Sequence, residues 1–206
     1  ERTFDWSYNL LCPAEKRLFT ELSVFANGYD CEAVAAVCDS RDDVFCALIE
    51  KNLVRAIDSA AGRTFGMLGP IRDYARSKKV TEFSDLDTET RHASYYSSKA
   101  LEIAEALTGA GQLQAQDKLR LMRDNIVTVL RHFLLLGEFD RGLELASRLS
   151  HFWYRSNRFR EGSYWIRTFL QKDSAGVMHA YAWYGLGMLT FYMGEWRKAC
   201  DHLRTS

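Results

Sequence analysis

From Ile71 to Ser206 the chain contains no proline; its only two, Pro13 and Pro70, come earlier. Proline removes a backbone donor and clashes with the preceding turn, so helices exclude it from their interiors. A proline-free run of this length, with apolar residues at three- and four-residue spacing, reads as helices packed in series. Six are expected. The first covers Arg91–Leu107, with Tyr96, Ala100, Ile103, Ala104 and Leu107 on one side, and Thr108-Gly109-Ala110-Gly111 breaks it. The second covers Asp117–Leu136, with Leu119, Met122, Ile126, Val129, Leu130 and Phe133 inward and Gly137 as its stop. The others fall near Phe139–Ser156, Phe159–Gln171, Ala175–Met193 and Trp196–Arg204. Connections of a few residues make neighbouring helices antiparallel.

The first 70 residues read differently. Pro13 suits a first helical turn, and Leu18, Phe19, Leu22 and Phe25 follow as an apolar stripe that Asn27-Gly28 ends. Asp30 can cap a second, short helix with Ala33, Val34 and Val37 inward. Asp42 or Asp43 can cap a third, from Val44 to about Asn52, with Phe45, Leu48 and Ile49 inward. Leu53–Ile57 has the alternation of a strand, Ser59–Arg63 reads as a turn, and Thr64–Leu68 as the return strand. A fourth helix covers Pro70–Lys79. Three helices, a β-hairpin and a helix make a winged-helix arrangement. The stretch Val80–Thr90 carries four acidic residues and no basic one, the composition of a solvated linker. The expected organisation is a winged-helix domain over 1–80, a linker over 81–90 and a helical-repeat domain over 91–206, all mainly α.

Composition removes several functions. Lys plus Arg number 27 and Asp plus Glu 27, so the formal net charge is zero. A protein devoted to nucleic acid or to an anionic membrane usually has a basic excess. No apolar run approaches the ~18 residues of a membrane span, and no membrane partner is expected. The chain opens Glu1-Arg2-Thr3 without an initiator Met or an apolar signal region, as an excised piece of a longer protein would. Its five cysteines lack short C-x-x-C pairs, which argues for reduced thiols and a cytoplasmic protein. Cys31 and Cys38, seven apart, are expected on one helix face in the core.

No catalytic or metal-binding constellation emerges. None of His92, His132, His151, His179 and His202 forms a pair at i, i+4 beside a Glu, and Cys200 and His202 point in different directions on a helix. G-x-x-x-x-G-K-[ST], G-x-S-x-G and H-R-D motifs do not occur. No enzyme activity, cofactor or metal is expected within these residues.

The last helix pair carries an internal echo. Trp183-x-x-Leu186-Gly187 followed by Ala199-x-x-x-Leu203 matches the tetratricopeptide pattern, with Thr190 where a Tyr is usual. A shift of 37 residues sets Ala146, Leu149, Ser150, Asn157, Phe159 and Gly162 against Trp183, Leu186, Gly187, Gly194, Trp196 and Ala199. Small residues at Gly187, Gly162 and Ala199 would let helices approach closely. Leu149, Leu186, Phe159 and Trp196 would fill the space between pairs. Asn157 and Gly194 would take the left-handed turn.

The stretch Trp6-Ser7-Tyr8, Leu10-Leu11, Pro13, Glu15, Leu18-Phe19, Leu22-Ser23-Val24-Phe25 and Gly28 resembles the start of the winged-helix region in bacterial STAND-type signal-transduction ATPases. Lys51-Asn52-Leu53-Val54 and Phe65 through Ala75 resemble that family's next segments, as do Arg91-His92-Ala93, Tyr95-Tyr96, Asp124-Asn125-Ile126 and Phe139–Phe169 more loosely. The resemblance implies a P-loop ATPase domain upstream that binds ATP or ADP, which the winged helix would contact, and helical repeats that dock a protein or small-molecule effector. Relatives carry a Met-His-Asp motif whose His reaches the nucleotide; here Met67, Leu68 and Gly69 stand there, and Leu68 cannot donate a hydrogen bond.

A winged helix can also read DNA with its third helix. Here Asp42, Asp43 and Glu50 face only Lys51, with Arg55 and Arg63 on the hairpin as the remaining candidate phosphate contacts. Residues 1–80 hold 11 basic and 12 acidic side chains, which argues against duplex DNA. On the repeats, Arg155, Arg158 and Arg160 cluster near a turn, and Tyr184 belongs to an aromatic-rich stretch; these four are the candidate partner contacts. The expected function is a non-catalytic regulatory and protein-interaction fragment of a transcriptional regulator. The alternative is a DNA-binding winged-helix transcription factor with a helical effector or dimerisation domain.

Overall fold

A computed structural model of the chain describes residues 2–38, 40–59, 62–83, 87–172 and 178–205. The expected turn at Ser59–Arg63, the linker over 81–90 and the helix start at Ala175 lie partly outside them. The described residues are mainly helical, with one two-stranded antiparallel sheet. They form two compact units, Glu1–Tyr95 and Tyr96–Ser206.

The first unit contains α1 (Arg2–Asn9), α2 (Pro13–Glu21), α3 (Cys31–Val37), α4 (Asp42–Glu50), β1 (Arg55–Ser59), β2 (Gly62–Gly66), α5 (Gly69–Glu82) and the start of α6 (Asp87–Glu105). Pro13 opens α2, and the Cys12 N–H donates to Glu15 Oε2 at 2.9 Å, which satisfies one free donor at that end. Asp30 caps α3 by accepting from the Ala33 N–H at 2.8 Å. Asn52 ends α4 with φ 57°, and the Leu53 N–H reaches back to the Leu48 carbonyl at 3.0 Å. In the hairpin Ala56 pairs with Phe65 and Ile57 with Thr64, two residues later on β1 and two earlier on β2 than the expected strand limits. Tyr29 adds a short third rung: its N–H donates to the Phe65 carbonyl at 2.9 Å, and its carbonyl accepts from the Phe65 N–H at 2.6 Å.

The core of this unit is Leu18, Phe19, Leu22 and Phe25 against Val34, Val37, Phe45, Leu48, Val54 and Phe65, all buried. Phe45 meets Phe65 edge-on at 5.0 Å, and Phe25 stacks on Tyr29 at 4.3 Å. Helix α1 was not expected from the sequence. It docks on α5 through Tyr8 and Tyr74, with rings 5.8 Å apart, and through a 2.7 Å bond from the Tyr74 hydroxyl to Asp5. The expectation for the cysteines also fails. Cys38 is buried, but Cys31 opens α3 and is exposed, because Cys38 lies just past the end of that helix. The linker differs as well: helix continues to Glu82 and resumes at Asp87.

The second unit contains the remainder of α6, then α7 (Gln112–Leu136), α8 (Phe139–Arg148), α9 (Ser150–Arg155), α10 (Phe159–Leu170), α11 (Met178–Tyr192) and α12 (Trp196–Thr205). Leu119, Ile126, Val129, Leu130 and Phe133 of α7 are fully buried, as are Leu143, Leu149, Phe152, Trp153, Ile166, Phe169, Leu186 and Leu189. Three helix ends share one device. Gly137, Asn157 and Gly194 have φ of 76°, 55° and 80°. The following N–H groups, of Glu138, Arg158 and Glu195, donate to the carbonyls of Phe133, Trp153 and Thr190 at 2.9, 2.8 and 3.1 Å. Asn157 and Gly194 thus occupy equivalent turns, 37 residues apart as expected.

The helix expected over Phe139–Ser156 is broken at Leu149 into α8 and α9. Two side chains bond carbonyls beside the break. The Trp153 indole N–H donates to the Ala146 carbonyl at 3.3 Å, and the Ser150 hydroxyl donates to the Ser147 carbonyl at 2.5 Å. Trp196, expected between helix pairs, is instead 63% exposed.

Candidate interaction surfaces

The three cations proposed for DNA from the sequence occupy different settings. Lys51 follows α4, and its ammonium donates to both oxygens of Glu15 at 2.6 and 2.7 Å. Glu15 is buried, and the Lys51 bond, above all, lowers its pKa from the usual carboxylate value. Lys51 is therefore a strut between α2 and α4. Arg63 on β2 donates to Asp58 of β1 at 2.8 Å, and each partner stabilises the other's charged form. Arg55 is exposed at the start of β1. Two of the three positive charges thus already sit beside a carboxylate.

The arginines at the α9–α10 turn are engaged too. Arg155 donates to the Gln112 side-chain carbonyl, and Arg158 to Glu161 at 3.3 Å. Glu161 also pairs with Arg123 of α7. Arg158 and Arg160 line an open cleft of about 490 Å³ with Asn157, Phe159, Glu161, Met193 and Glu195. Glu195 has a lowered pKa, first through its hydrogen bond with Lys198 and then through Arg167 and Arg160. The cleft walls balance their charge locally, which fits a solvated corner.

Tyr184 belongs to a second cleft, of about 250 Å³. Leu101, Ala104, Glu105 and Thr108 form one wall, from the end of α6 and the turn after it; Ser147, Arg148, Ser150 and His151 come from the α8–α9 break, and Tyr181 and Tyr184 from α11. Ser147 and Ser150 are buried, whereas Glu105, Thr108, Arg148, Tyr181 and Tyr184 are exposed. The Arg148 guanidinium lies over the Tyr181 ring, 5.2 Å from its centre. The Ser147 hydroxyl has no hydrogen-bond partner among the described residues. A buried polar group left so costs about 1–3 kcal/mol. Burial lowers the His151 pKa, with Arg155 adding to the effect, so the ring is neutral near pH 7.

Of the four partner candidates, the structure places Arg158 and Arg160 in one cleft and Tyr184 in the other, while Arg155 lines neither. Sequence reasoning missed Glu105, Ser147, Arg148 and Tyr181. Their one local signal is the Ser147–Ser150 pair inside an otherwise helical run, since serine hydroxyls compete for helix carbonyls.

No protein-family profile matches the chain, and no solved structure matches it. Curated relatives do. Proteins named "Putative HTH-type transcriptional regulator", one from Mycobacterium bovis and two from strains of Mycobacterium tuberculosis, are 31% identical over 178 residues, which is 82% of this chain. The chain spans about one fifth (20%) of their length, and within that span it is similar to helix-turn-helix-type regulators of mycobacteria.

Proposed function

We propose that the chain is a non-catalytic regulatory segment of a STAND-type ATPase that controls transcription. The first unit is a winged helix that relays the state of an upstream nucleotide-binding domain, which would hold the ATP or ADP. The second is a tetratricopeptide-like stack that docks an effector. The names of the mycobacterial relatives support the regulatory role. The paired turns at Asn157 and Gly194 support the repeat register, and the three helices, hairpin and helix from α2 to α5 support the winged helix.

The observation that carries the choice between relay and DNA reader is the pairing of Lys51 with Glu15 and of Arg63 with Asp58. A DNA-reading face needs several cations free to displace counterions. Fluorescence anisotropy with mixed-sequence duplexes at ~150 mM salt tests this. The expected result is nothing tighter than the ~10⁻⁴–10⁻⁶ M of non-specific binding. A salt-sensitive nanomolar complex, lost on Arg55→Ala and Arg63→Ala, would favour the DNA-binding transcription factor instead.

A further inference from the structure

The lining of the cleft that holds Tyr184 includes two opposite charges. Arg148 has no carboxylate partner among the described residues, and Glu105, on the α6 side, has no cationic one. The same lining includes apolar Leu101 and Ala104 and the rings of Tyr181 and Tyr184. Ser147 also belongs to the lining, with its hydroxyl buried and without a partner among the described residues. At liquid-like packing, about 250 Å³ has room for roughly a dozen non-hydrogen atoms. His151, neutral near pH 7, adds no competing positive charge.

We propose that this cleft binds a small zwitterion with an apolar body, of the apolar α-amino-acid class, as the effector of the helical unit. Arg148 takes the carboxylate and Glu105 the ammonium group. Leu101, Ala104 and the two tyrosine rings cover the side chain. A simple anion would meet Glu105 unpaired, and a simple cation would meet Arg148. A ligand carrying both charges satisfies the two walls together. The inference rests on the reading of the second unit as an effector-docking stack.

Titration of the isotope-labelled chain with L-phenylalanine and L-leucine, followed by amide resonances, provides the test. Saturable shifts are expected at Thr108, Ser147–His151 and Tyr181–Tyr184, with Kd ~0.1–1 mM for so small a ligand. N-acetylphenylalanine lacks the ammonium and phenylalaninamide the carboxylate, and each should bind at least tenfold more weakly. Glu105→Gln and Arg148→Ala, both at exposed positions, should reproduce those losses selectively for the charge each one meets. Equal binding of the N-acetyl derivative, or unaltered binding by both variants, overturns the proposal. So does the absence of saturable shifts at 20 mM. If a peptide rather than a free amino acid shifts the same resonances, the zwitterion assignment falls while the docking-stack reading stands.

Discussion

A lysine's meaning depends on what its ammonium touches, and Lys51 shows how far that can depart from a charge count. In the sequence it is the one cation of an acidic third helix. In the fold it clamps a buried carboxylate on α2. Lys51→Ala should therefore leave Glu15 with only the Cys12 N–H and destabilise the first unit by about 1–2 kcal/mol in urea unfolding. Arg55→Ala, at an exposed position, should cost under ~0.5 kcal/mol. Equal effects would mean that the Glu15 contact contributes nothing. Two histidines of the second unit predict a pH response. Burial lowers the pKa of His151, aided by Arg155, and that of His202, aided by Arg167. The unfolded chain then binds these protons more readily, so their contribution is complete above about pH 6.5 and is lost as pH falls through that value toward the folded-state pKa. The melting temperature of the second unit should drop between pH 7 and pH 5. His151→Gln should flatten the slope; a wild-type slope in that variant would remove His151 as a cause.

At the scale of elements, what could be read was whatever local chemistry decides. Pro13, Asp30, Gly137, Asn157 and Gly194 act on their own helix ends, so their roles were visible without tertiary information. Helix α1 was not, because it spans only eight residues (Arg2–Asn9) and its inward side is defined by Tyr74, far along the chain. The α8–α9 break was hidden for a related reason: the Trp153 indole bond to the Ala146 carbonyl beside it is a matter of side-chain direction, and periodicity is silent on that. The cleft at Tyr184 was the least legible feature, since Glu105, Arg148 and Tyr181 come from three helices whose juxtaposition no spacing encodes. The register itself is testable at Gly162. A Cβ there would stand 2.5 Å from Cγ of Trp153, which is fully buried and cannot retreat. Gly162→Leu should cost at least the ~1–3 kcal/mol of an overpacked core, against under ~0.5 kcal/mol for Arg197→Ala on exposed α12 surface. Chemical denaturation of the two variants decides, and a harmless Gly162→Leu would refute the close approach of α9 and α10.

The whole molecule raises the question of where its first cooperative unit ends. Composition puts that end near residue 80, because the acidic stretch after it looks solvated. Contacts put it at Tyr95, part-way along α6. The physical difference is that Glu89 is not spent on water. Glu89 accepts two bonds from Lys79 of α5, both at 2.7 Å, and the Lys79 side chain is only 9% exposed. Arg91 donates to the Val37 carbonyl at the end of α3 at 2.7 Å and lies 3.7 Å from buried Glu21. His92 is buried with its ring edge-on to Phe25 at 5.5 Å, and Thr88 and Ala93 are buried beside it. A fragment ending at residue 83 would leave Lys79 and Glu21 without these partners and expose Phe25 to water. Losing several buried contacts of ~1–3 kcal/mol each would consume much of the 5–15 kcal/mol that holds a small domain together. Residues 1–95 should therefore unfold in one sigmoidal transition by circular dichroism. Residues 1–83 should show a broad, low-temperature melt and bind a hydrophobic dye. Should the shorter fragment melt as sharply and as high as the longer one, the first turns of α6 are dispensable, and the boundary belongs near residue 80 after all.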